Sequence, residues 1–149
     1  MRSFWFKKTA LLILLILILT PGYGQKRVMV KELGIADLSI LIKESGMADI
    51  SVRFLESGIA DIRVGLTSSE LNADFIIKRL GIADRSVLLK RWGSADISVL
   101  VTKYEPADVR IQVSNHGIAD YLIYTDNGTV TNEEVIGALI YIIKAKARK

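Results

Sequence analysis

Hydrophobic and polar residues alternate with period two along most of the chain beyond residue 25. Ala48, Ile50, Val52 and Phe54 fall on one face, and Asp49, Ser51, Arg53 and Leu55 on the other. The division returns in Ala95, Ile97, Val99 and Val101 against Asp96, Ser98, Leu100 and Thr102, and again in Ala107, Val109, Ile111 and Val113. Such alternation marks half-buried strands, because successive strand side chains point to opposite faces. Links such as Glu56-Ser57-Gly58 and Asn115-His116-Gly117 separate the strands, and their glycine tolerates a positive φ. The pair Ala-Asp recurs at 36, 48, 60, 73, 83, 95, 107 and 119, in steps of 12, 12, 13, 10, 12, 12 and 12. This is an internal repeat with one irregular unit around Leu71-Asn72. Arg27-Val28-Met29-Val30 fits the strand of a preceding unit, so the repeat begins near Gln25. Twelve residues are too few for parallel strands joined through a helix. An antiparallel meander and a tightly wound closed coil both fit.

Two segments depart from this period. Residues 10–19 are uninterruptedly apolar, follow Arg2, Lys7 and Lys8, and precede Pro21 and Gly22-Tyr23-Gly24. That is the layout of a secretory signal peptide, with cleavage expected before Gln25 and a periplasmic or extracellular mature chain. The apolar run is short of the ~20 residues of a membrane-spanning helix, which disfavours an uncleaved anchor. At the other end, Thr131-Asn132-Glu133-Glu134 reads as a capping box. Val135, Leu139 and Ile142, with Ile136, Ile140 and Ile143 beside them, form an apolar helical stripe, and Lys144, Lys146, Arg148 and Lys149 follow. The helix is expected to cap the β-body, with a membrane-surface helix as the competing reading. The predicted organisation is thus a leader over 1–24, a β-repeat domain over 25–130 and a helix with a basic tail over 131–149.

Charge changes the picture only slightly. The formal net charge is +4, but residues 1–24 contribute three bases and no acid, leaving 17 bases against 16 acids in residues 25–149. That balance gives no reason to expect a nucleic-acid partner. The absence of cysteine rules out a disulfide scaffold, so stability must come from packing and hydrogen bonds.

The Ala-Asp signature followed by an alternating strand, in seven intervals of about twelve residues, resembles the 7(1) septoil knot domain family. The match runs from about Val28 to Tyr124. The resemblance implies a compact all-β body whose chain winds around one core as a seven-crossing torus knot, with no catalytic residues and no settled activity. Two features depart from the pattern: the short unit from Ala73 to Ile82, and Arg85 where other units carry an apolar residue.

Few residues suggest chemistry. His116 is the only histidine and there is no cysteine, so neither a triad nor a thiolate or paired-histidine metal site is at hand. An enzyme is not expected, nor any cofactor or metal. Asp37, Asp49, Asp61, Asp74, Asp84, Asp96, Asp108 and Asp120 share one repeat position. They are expected to accept backbone amides at strand starts, with help from Arg63 and Arg110, and a calcium ladder is the rival. A second column holds Leu80, Trp92, Tyr104 and His116, preceded by Arg79, Arg91, Lys103 and Asn115, while earlier units carry Glu44-Ser45 and Glu56-Ser57. This makes one end of the array basic and aromatic, and the rings are expected to pack beneath the C-terminal helix. In the competing reading Arg79, Arg91, Trp92, Lys103, Tyr104 and His116 line a groove for an anionic envelope glycan, peptide or polymer. The expectation is an exported, monomeric, non-enzymatic structural or interaction module, with envelope-polymer or protein binding as the alternative.

Overall fold

The computed structural model describes residues 24–149, so residues 1–23 of the predicted leader lie outside the described residues. Among the described residues nine strands form: β1 Lys26–Lys31, β2 Leu38–Lys43, β3 Ile50–Leu55, β4 Ile62–Leu66, β5 Phe75–Lys78, β6 Arg85–Lys90, β7 Ile97–Val101, β8 Val109–Ser114 and β9 Tyr121–Thr125. The helix α1 spans Asn132–Ala147. The irregular unit is a longer link between β4 and β5, containing a 3-10 turn at Glu70–Asn72.

The strands close into a barrel in the order β1-β5-β9-β4-β8-β3-β7-β2-β6, and every pair is parallel. The antiparallel meander is therefore excluded. Strands consecutive in sequence never touch; each lies two places further around the barrel, so the chain makes almost two laps. Parallel strands ordinarily need a long return connection. Here the stagger removes the return along the strand direction: Val87 of β6 is level both with Val30 near the end of β1 and with Leu38 at the start of β2. A link of residues 32–37 need only step sideways across β6. Followed around all nine strands, the register shifts by about sixteen residues, which tilts the strands roughly 50° from the axis and sets a barrel radius of roughly 10–11 Å.

The links cross the outside of the wall. Link 115–120 passes over β4, where a Cβ added to Gly65 would sit 3.0 Å from the Ala119 Cβ and 2.7 Å from Leu122 Cδ2. Gly65 is thus the clearance for a crossing. Two turn chemistries hold the links. Lys31, Lys43 and Lys90, each the last residue of its strand, donate to the carbonyls of Ile35, Met47 and Ser94. Where a hydroxyl residue replaces lysine, Thr67, Thr102 and Ser114 accept the N–H of Ser69, Tyr104 and His116, two positions on.

The alternating apolar residues point into the barrel, where Val28, Ile40, Val52, Ile62, Val87, Val99, Val109, Ile111 and Ile123 are fully buried. The helix is buried among them. Val135, Ile136, Ala138, Leu139, Ile140 and Ile143 are at most 1% exposed, and α1 touches β1, β5 and β6 on one side and β3 and β8 on the other. A barrel of this radius, with lining side chains, leaves a bore suited to a helix about 10–12 Å across. The expectation of a cap, or of a membrane-surface helix, is therefore corrected: α1 fills the bore. Arg85, at the first inward position of β6, lies 4.1 Å over the Tyr141 ring near the C-terminal end of the helix. That contact accounts for the one unit without an apolar residue at this position.

Candidate functional site

The repeat aspartates form a lattice joining the two laps. Each of the eight accepts the backbone N–H of a residue near the start of a neighbouring strand: Asp37 from Ser86, Asp49 from Ser98, Asp61 from Arg110, Asp74 from Leu122, Asp84 from Arg27, Asp96 from Ser39, Asp108 from Ser51 and Asp120 from Arg63. Four serines answer reciprocally, as the hydroxyls of Ser86, Ser98, Ser39 and Ser51 accept the N–H of Asp37, Asp49, Asp96 and Asp108. Arg110 and Arg63 add ion pairs at 3.3 Å, but to Asp61 and Asp120 of neighbouring strands and not to their own units.

These donors favour the charged carboxylate. Asp37, Asp49 and Asp96 are held below the ordinary value by the backbone N–H and then the hydroxyl of Ser86, Ser98 and Ser39. Asp61 is lowered chiefly by the Arg110 side chain, and Asp120 chiefly by the Arg63 N–H. The carboxylates already serve protein donors. Like charge is diluted because a serine or arginine partners every aspartate except Asp74, whose partner is Leu122. The serines were readable in the sequence as Asp-x-Ser, but the partner strand was not, because it lies 49 or 57 residues away.

The binding candidates sit at the opposite end of the strands, where the links begin and α1 starts. Arg79 and Arg91 reach Glu134 and Glu133 in the first turn of α1, at 2.8 and 3.1 Å. Trp92 and Tyr104 are 81% and 78% exposed, so the expectation that they pack beneath the helix is overturned. His116 is exposed in a turn, its backbone held by Ser114. Lys103 has neither ion pair nor hydrogen bond among the described residues.

The two-lap path also breaks up the supposed column. Around the rim the links run 79–84, 32–37, 91–96, 44–49, 102–108, 56–61 and 115–120. Charged residues at the link starts therefore alternate as Arg79, Glu32, Arg91, Glu44, Lys103 and Glu56. Segregation into an acidic and a basic end, inferred from sequence order, is corrected to interleaving. Arg79 and Arg91 bind the helix on the β5–β1–β6 side. On the far side the mouth of the bore opens as a shallow cleft of about 670 Å³, floored by Phe54, Val101 and Val113 and edged by Arg53, Lys103 and Asn132. Sequence reasoning missed this cleft, since nothing local says where a helix leans inside a barrel. Compared with protein-family models, curated proteins and solved structures, the chain matches none.

Proposed function

We propose that the protein is an exported, non-enzymatic interaction module that docks through the apolar side chains on its links. One observation carries this reading. Leu33, Ile35, Met47, Ile59, Leu80, Ile82, Trp92, Tyr104 and Ile118 are all 78–91% exposed, although the chain already has a complete core. They stand on links distributed around the ring; apolar surface exposed beyond what the core needs marks interaction sites, and tryptophan and tyrosine are enriched there. The anionic-polymer alternative is weakened, because Glu32, Glu44 and Glu56 stand between the bases. The export part of the reading rests on the leader pattern in residues 1–24.

The wound path also supports a finer reading of the fold, the seven-crossing torus knot that the family resemblance implies. Consecutive strands step two places around a closed ring, and links pass over the intervening strand on the outer face, as link 115–120 does over Gly65. Stretching the denatured chain between its ends tests it: a knotted chain stops short of its full contour length, and full extension overturns the knot.

Docking is tested by co-sedimentation with envelope material, comparing the protein with Trp92→Ala/Tyr104→Ala. The double variant should lose retention while its stability changes by less than about 1 kcal/mol, as for exposed sites. Equal retention would sink the docking reading.

A further inference from the structure

We infer that the rim where α1 begins is a homotypic interface, docking against the same rim of a second copy about a two-fold axis. This rests on the docking reading above and narrows it to one partner, in place of the monomer expected from sequence. The apolar side chains at this rim are grouped. Leu80, Leu33 and Trp92 stand on three successive links around the ring, and Tyr104 follows two links later. Tryptophan, tyrosine and arginine are the residue types that dominate interface energetics.

Charge selects the partner. Arg79, Glu32, Arg91, Glu44, Lys103 and Glu56 alternate in sign along the link starts, with Arg79 and Arg91 already paired to Glu134 and Glu133, so a partner of one sign meets repulsion at every second link. A second copy of the same ring, turned over and set in phase, meets acid with base throughout, which is the self-complementarity an isologous interface requires. Glu32, Glu44, Glu56 and Lys103 make no ion pair among the described residues, and Arg79 and Arg91 keep about half of their side-chain surface in water. The size also fits. A barrel of roughly 10–11 Å radius with links outside it presents an end face on the order of 700 Å², against about 800 Å² per partner in a standard interface.

The test measures mass by light scattering and sedimentation velocity on the purified protein as recovered from its host, over about a hundredfold range of concentration. Wild type should pass from monomer to dimer mass. Trp92→Ser should weaken dimerisation by about tenfold or more, with a melting curve unchanged at concentrations where both proteins are monomeric, as expected of an exposed interface anchor. Lys103→Glu, which places three acids side by side, should weaken it too, and most strongly at low salt. A monomer mass throughout, or a Trp92→Ser dimer as tight as wild type, overturns the inference. Envelope retention that needs Trp92 and Tyr104 in a strictly monomeric protein would leave the docking reading standing while removing the homotypic partner.

Discussion

At the scale of single residues, the lattice of carboxylates makes the fold sensitive to acid. A carboxyl whose native pKa is depressed binds fewer protons folded than unfolded near its ordinary value. Its contribution is therefore present above about pH 4 and is lost as pH falls through the lower native value. For Asp37, Asp49, Asp61, Asp96 and Asp120 this sets the window. The melting temperature should be flat from about pH 7 to 5 and decline below about 4; a decline already complete by pH 5 would contradict the lattice. Gly65 gives a second expectation. Gly65→Ala forces a methyl against Ala119 at the crossing and should cost about 1–3 kcal/mol by denaturant titration. An unchanged midpoint would show that the link lifts freely. The sequence made the aspartates and their amide-accepting role legible, because both are local. It hid which strand supplies the amide.

At the scale of elements, the helix cap was readable to the residue and the strands in place, although each repeat strand begins two positions after the alanine that the alternation had included, as β3 does at Ile50 after Ala48. Thr131 caps α1 and the box closes in both directions, Glu134 N–H to Thr131 Oγ1 and Thr131 N–H to Glu134 Oε2. The location of the helix was not readable, because an amphipathic stripe suits a cap as well as a bore. Its direction follows from charge: Glu133 and Glu134 meet Arg79 and Arg91 at one end, while Lys144 lies near Asp49 and Lys146 near Asp61 and Asp120 at the other. Gly137 tests the fit of the bore. A Cβ there would meet Val30, Val87 and Leu89 at 3.5–3.8 Å, ordinary contact, so Gly137→Ala should stabilise by about 0.5–1 kcal/mol through helix propensity. A loss of stability would mean that the helix packs closer to β1 and β6 than these distances allow.

At the scale of the whole molecule, the repeat was plain and its arrangement was not. Periodicity counts units but is silent about the order in which they meet. Glu44 and Lys103 begin neighbouring links although 59 positions separate them in the sequence. The two-place step has a consequence for how such a chain can change over generations. A path that advances by two visits every place on a ring only when the number of places is odd; on an even ring it returns to an occupied place after one lap. Nine strands satisfy this and ten would not. An open solenoid can lengthen by duplicating one unit, since each repeat meets only its neighbours in sequence. This barrel has no such intermediate, and gaining or losing a single twelve-residue unit breaks the circuit instead of enlarging it. Parity lets its copy number change only two units at a time, and single-step variation is left to the side chains that the links carry into solvent.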